Sequence, residues 1–130
     1  MHIQRPFLLI AIAVASAGAN GGPLPDKVVA VELANFDFTP STVEMVHGQG
    51  YVLRLTNISD GGHDFAAPAF FAAARIDPED ARAIDDGQVE VAGGQTVVIR
   101  LTAPSPGIYR VRCTHFLHST FGMKGRIVVT

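Results

Sequence analysis

Tyr51-Val52-Leu53-Arg54-Leu55-Thr56-Asn57 is the stretch that decides the fold class. Tyr51, Leu53 and Leu55 alternate with Val52, Arg54 and Thr56, the period-two pattern of a strand with one face in a core and one in water. Turn signals bound it on both sides, Gly48-Gln49-Gly50 before and Ser59-Asp60-Gly61-Gly62 after. Upstream, Lys27 to Leu33 places Val29, Val31 and Leu33 on one face, and Thr39-Pro40-Ser41 separates it from a strand at Thr42 to Val46. Downstream, His63 to Ala67, Gln88 to Val91, Gln95 to Thr102, Gly107 to Cys113 and Gly125 to Thr130 read as strands, with turns at Gly93-Gly94 and Pro104 to Gly107. About eight short strands at this density predict an all-β protein, a two-sheet Greek-key β-sandwich. The stretch Pro68 to Gly87 is irregular and carries one short helix, whose start is read at Asp77, with Pro78 at the first helical position and Glu79 and Asp80 opposing the helix dipole.

Composition agrees with one compact domain. Of 130 residues, 48% are hydrophobic and 17% charged, with thirteen glycines, eight prolines and no tryptophan, which favours many strands and tight turns over long helices. Ten basic against twelve acidic residues give a formal charge of −2, and the basic residues are scattered along the chain, so no nucleic-acid partner is expected.

Part of the hydrophobicity belongs to the N-terminus. His2 and Arg5 form a weakly basic start, Phe7 to Ala17 is apolar apart from Ser16, and small residues follow, the order of a cleavable export signal. Cleavage after Ala17 or Ala19 is expected, which divides the chain into a signal peptide, residues 1–19, and a domain, residues 20–130. The alternative, an uncleaved anchor, needs about 20 apolar residues and this run is shorter. Export makes the single cysteine informative, because structural cysteines in an oxidising compartment normally pair. Cys113 is then an intermolecular disulfide partner, an inert buried thiol, or a thiolate protected by a metal.

Its neighbours bear on that choice. Cys113-Thr114-His115-Phe116-Leu117-His118-Ser119-Thr120-Phe121-Gly122-Met123 lies between two strands and is the segment richest in metal-capable side chains. A loop closing on itself can offer the Cys113 thiolate, the His118 imidazole and the Met123 thioether to one point, and His63, after a Gly-Gly turn at the start of another strand, can supply a fourth ligand. Two imidazoles, one thiolate and a distant thioether suit electron-transfer copper: Cu(I) prefers sulfur, Cu(II) prefers nitrogen, and a mixed set demands little rearrangement between them. Structural zinc favours several cysteines at closed tetrahedral spacing, and a dinuclear copper centre needs a second cysteine; neither is present. Met123 also reads as core packing. His115 would point to the same side as Cys113 and is read as a neighbour of the ligands or a surface residue, and His47 as a surface residue.

The pieces Phe36-Asp37-Phe38-Thr39-Pro40, Leu53-Arg54-Leu55-Thr56-Asn57, Gly62-His63-Asp64-Phe65, Tyr109-Arg110-Val111-Arg112-Cys113 and His118 to Gly125 resemble the cupredoxin family of small type 1 blue copper proteins, across nearly all of the expected mature chain. The Cys-to-His and His-to-Met spacings are similar to those of rusticyanin, and the Met-Lys-Gly ending to azurin. The resemblance implies one mononuclear type 1 copper, with His63, Cys113 and His118 as equatorial ligands and Met123 as the axial one. It also implies a monomeric periplasmic electron carrier, catalysing nothing by itself, whose redox partners dock at an apolar patch of Phe116, Leu117 and Phe121 around His118. A copper-binding protein for storage, delivery or protection is the alternative. Two features depart from the family: Asp64 stands where many members have Asn, with Thr114 as its expected partner, and Ala66 to Asp86 has no counterpart in the shortest members. Within that insertion, Pro68, Phe70 and Phe71 are expected to pack against the sandwich.

Overall fold

The computed structural model describes residues 25–118 and 120–130. The expected signal segment therefore lies outside the described residues. Among those described, no helix is long and apolar enough to cross a membrane.

Among the described residues, ten strands form two five-stranded sheets. The first contains β1 (Lys27–Ala34), β2 (Asp37–Thr39), β4 (Gly50–Asn57), β6 (Arg75–Ile76) and β8 (Thr96–Thr102), in the order β2-β1-β4-β8-β6. The second contains β3 (Thr42–Met45), β5 (His63–Ala66), β7 (Gln88–Val91), β9 (Gly107–Arg112) and β10 (Lys124–Val129), in the order β3-β10-β9-β5-β7. β1 runs parallel to β4 and β3 parallel to β10, and the other pairs are antiparallel. The eight strands read from the sequence are all present; β2 and β6 are additions, too short to show a periodic pattern.

Alternation along each strand builds the core. Val31, Leu33, Leu53, Leu55, Ile99 and Leu101 of the first sheet share one buried cluster with Val43, Met45, Phe65, Val89, Val91, Val111, Ile127 and Val129 of the second. Each large side chain so buried contributes on the order of 1.5–3 kcal/mol. Phe65 sits centrally, its ring edge-on to Phe38 at 5.7 Å and to Phe71 at 6.1 Å between centroids.

The insertion places its helix elsewhere than expected. The α-helix is α1 (Pro68–Ala73), with Pro68 in the first turn and Phe70 and Phe71 buried, and Phe70 meets Tyr109 of β9 edge-on at 5.6 Å. The segment thus packs on the sandwich, as expected of its two phenylalanines. At Asp77 the turn begins as predicted, with Asp77 Oδ1 accepting the Glu79 N–H at 2.9 Å, but only a 3-10 turn at Ala81–Ala83 follows. Two tertiary contacts stop it. Asp80 turns its carboxylate to the Arg100 backbone N–H at 2.9 Å, tying the turn to β8, and Ala83 and Ile84 pack against the core.

Candidate metal centre

His63 opens β5 directly after the Ser59–Gly62 turn, and Asn57, buried at the end of β4, shapes that turn. The Asn57 amide donates to the carbonyls of Gly61 at 2.7 Å and Val91 at 2.9 Å, while its Oδ1 accepts from the Ser59 N–H at 2.9 Å and hydroxyl at 2.7 Å. The β7–β8 turn presses against the same loop: a Cβ on Gly93 would stand 2.2 Å from the Asp60 carbonyl oxygen, so only glycine fits.

Cys113 follows β9, and the chain from it to Met123 folds back through its own backbone bonds. Cys113 N–H donates to Met123 O at 3.1 Å, Met123 N–H to His118 O at 3.0 Å and His118 N–H to His115 O at 3.0 Å. Leu117 at φ 62° and Gly122 at φ 105° make the reversals. Cys113 and Met123 are 0% exposed and His63 is 1% exposed, whereas His118 is half-buried at the edge.

Three donor atoms converge. His63 Nδ1 lies 3.1 Å from His118 Nδ1 and 3.9 Å from Cys113 Sγ, and His118 Nδ1 lies 3.4 Å from the same sulfur. A point equidistant from all three is roughly 2.0 Å from each, close to metal–imidazole bond length. Two imidazole nitrogens and a thiol around such a point fit a copper ion. Met123 joins the group by position: its backbone is bonded to those of Cys113 and His118, and its side chain is fully buried.

Neighbouring groups hold the donors. The neutral His63 ring donates Nε2–H to Asn35 Oδ1 at 3.4 Å, which leaves the Nδ1 lone pair free for a metal. Asn35 and Phe36 occupy the β1–β2 turn; Phe36, at φ 63°, meets the His118 ring edge-on at 5.0 Å and that of Phe121 at 5.6 Å. Asp64, 2% exposed, accepts the Thr114 N–H at 2.7 Å on Oδ1 and the Thr114 hydroxyl on Oδ2. The expected Asp64–Thr114 tie is therefore present.

Burial pushes the Cys113 thiol above its ordinary pKa of 9.0, against the pull of backbone N–H groups from Asp64 and His115. Burial also lowers His63 below 6.5, and His118 and His115 add to that, with Glu90 and Asp64 opposing.

His115 is beside the donors without being one of the close three. Its Nε2 faces Glu90 at 2.9 and 3.1 Å, and its ring stacks on His118 at 5.4 Å between centroids. Asp64, Glu90 and His115 also lie close together, but the Asp64 oxygens are held by Thr114 and His115 is paired with Glu90. His47 is exposed, and its Nδ1 lies 2.9 Å from the Pro104 carbonyl. No local pattern in the sequence marks Asn35 or Glu90, and Phe36 is marked there only as part of the Phe36-to-Pro40 resemblance.

The chain matches the family described as copper binding proteins, plastocyanin/azurin family, over residues 26–130. No curated protein is significantly similar in sequence. Among solved structures, dithionite-reduced auracyanin from Roseiflexus castenholzii superposes with a TM-score of 0.60 at 18% identity, covering 84% of this chain and 99% of that one. Auracyanin A, a "blue" copper protein from Chloroflexus aurantiacus, gives 0.55 at 21% identity, covering 79% and 99%. A laccase from Pediococcus acidilactici gives 0.63 at 15% identity, covering 84% of this chain but 28% of the laccase. These likenesses establish the sandwich fold.

Proposed function

The chain belongs to the plastocyanin/azurin family of copper-binding proteins, and on that premise we propose that it is an exported electron-transfer protein. His63, Cys113, His118 and Met123 would hold a single type 1 copper. The observation that carries this reading is the triangle of His63 Nδ1, Cys113 Sγ and His118 Nδ1 around one point. A copper ion there supplies a one-electron couple between Cu(I) and Cu(II). The protein keeps the donors in place for both states: Asn35 orients His63, Asp64 anchors the residue after Cys113, and the 113–123 loop is closed by its own backbone bonds. Four protein ligands leave no open position for substrate, which supports a carrier rather than an enzyme. The fold shared with auracyanin A, a blue copper protein, agrees.

The mature domain is taken as residues 20–130, released in the periplasm by cleavage of residues 1–19, and acts as a monomer. Redox partners dock where His118 reaches the edge of the fold, beside Phe116, Leu117 and Phe121, which are 86%, 45% and 63% exposed. Phe36 extends this apolar surface.

Visible spectroscopy tests the reading. Adding Cu(II) should give an intense thiolate-to-copper charge-transfer band, and Cys113→Ser should abolish it; weak d-d absorption alone in the native protein overturns the type 1 site. Repeated reduction and reoxidation against a chelator then separates carrier from donor. A carrier retains its copper, whereas prompt surrender of Cu(I) assigns the protein to copper storage or delivery.

A further inference from the structure

The basic residues that are scattered in sequence are gathered by strand register. Arg112 of β9 stands directly opposite Lys124 of β10, and Arg110 opposite Arg126, and all four side chains are exposed on the outer face of the second sheet. Residues two apart on a strand are separated by about 7 Å and paired residues by about 5 Å, so the four cations form a compact two-by-two array. Like charges directly opposite one another destabilise a strand pair. None of them is in an ion pair: among the described residues the Lys or Arg ion pair is that of Arg100 with Asp80, on the other sheet. Arg126 Nε donates to the Thr42 hydroxyl at 3.2 Å. Two acids lie one diagonal step away on the same face, Glu44 beside Val128 and Asp64 beside Thr114; neither forms an ion pair with the four, and both Asp64 oxygens accept from Thr114.

Four of the ten Lys and Arg residues are thus held in repulsive register in a chain whose formal charge is −2. We propose that the exposed β9–β10 face, Arg110, Arg112, Lys124 and Arg126, is a docking surface for an acidic protein. Charge complementarity selects the chemistry, and the small extent of the patch selects the class. A long polyanion such as nucleic acid, or a membrane sheet, would extend beyond four cations onto a chain that is acidic overall and be repelled there. An acidic patch on a folded protein can match the array and stop at its margin. The exposed Ile108, 68% accessible, lies on the same face beyond Arg110 and offers such a partner an apolar contact. The proposal does not depend on the role of the metal.

Decaglutamate peptide is the first probe, titrated into the 15N-labelled protein at low ionic strength. Amide shifts concentrated in β9 and β10, fading as salt is raised through the physiological range, are expected. The double variant Arg110→Gln with Lys124→Gln, which removes one cation from each facing pair and leaves the Arg126–Thr42 bond, should weaken binding about tenfold or more. The same variant should hold or raise Tm, by up to about 4 °C, because it relieves repulsion between facing strands. A lowered Tm would mean that the four cations serve the ribbon itself and would overturn the proposal. So would an absence of shifts at low salt, or shifts centred elsewhere. Tighter binding, at equal charge concentration, to a DNA duplex or to phosphatidylserine vesicles would replace the acidic protein with nucleic acid or membrane.

Discussion

Asp64 grips the residue after the buried thiol with both carboxylate oxygens, Oδ1 taking the Thr114 N–H at 2.7 Å and Oδ2 the Thr114 hydroxyl. The grip joins β5, which carries His63, to the start of the loop that carries His118, and it brings a negative charge that bears on the Cys113 sulfur. Negative charge near the copper favours the more positive Cu(II). Asp64→Asn keeps the shape and removes the charge, so the reduction potential should rise by tens of millivolts. Voltammetry of the two proteins decides it, and an equal or lower potential in the Asn variant would show that this charge is not felt at the metal.

Asn35 holds the far nitrogen of a buried imidazole. Asn35→Ala leaves His63 Nε2–H without that acceptor and the ring free to turn. Copper affinity should fall by about 10- to 100-fold, the usual cost of removing a partner that orients a metal-ligating histidine. Chelator competition measures it. An unchanged affinity would mean that packing alone orients the ring.

Copper uptake should release a proton from Cys113, because burial raises the thiol pKa above 9.0 and the metal binds the thiolate. The apparent Cu(II) affinity is expected to climb about tenfold per pH unit between about pH 7 and 8.5. A flat profile across that interval would remove Cys113 from the ligand set.

Metal-free protein should be most stable between two pH limits set by the same site. His63 is lowered below 6.5, so the unfolded chain takes up its proton more readily, and stability is lost as pH falls below about 6.5. Cys113 is raised above 9.0, so the unfolded thiol ionises first, and stability is lost as pH rises beyond about 9. Urea midpoints across this range test both limbs. His63→Gln should flatten the acid limb and Cys113→Ala the alkaline one.

Phe65 joins the two sheets behind the site, 1% exposed and flanked edge-on by Phe38 and Phe71. Phe65→Ala should cost about 3–5 kcal/mol in chemical denaturation. A loss below about 1 kcal/mol would mean that the neighbouring rings close the cavity.

Strand positions were legible in sequence where one face is buried and the other solvated, as at Tyr51–Asn57, because the pleat imposes a period of two. The donor loop was legible because Cys113, His118 and Met123 are uncommon side chains brought close by short spacing. The helix was not. Asp77-Pro78 has the chemistry of a helix start, yet the chain there gives its Asp80 carboxylate to β8, while Pro68–Ala73 winds because burying Phe70 and Phe71 repays it. Local propensity is worth less than one such tertiary contact.

By itself the sequence determined which surfaces had to be hidden and which side chains could bind a soft metal, since both follow from the chemistry and order of residues close together along the chain. Register was decided only by the tertiary structure. It set His63 and Asn35, 28 residues apart, on the same imidazole edge, and turned Glu90 toward His115. It also aligned Arg110 and Arg112 with Arg126 and Lys124, converting scattered charges into one basic face. No local pattern encodes such neighbours, because they meet through the pairing of strands whose partners are chosen by the burial of the opposite face.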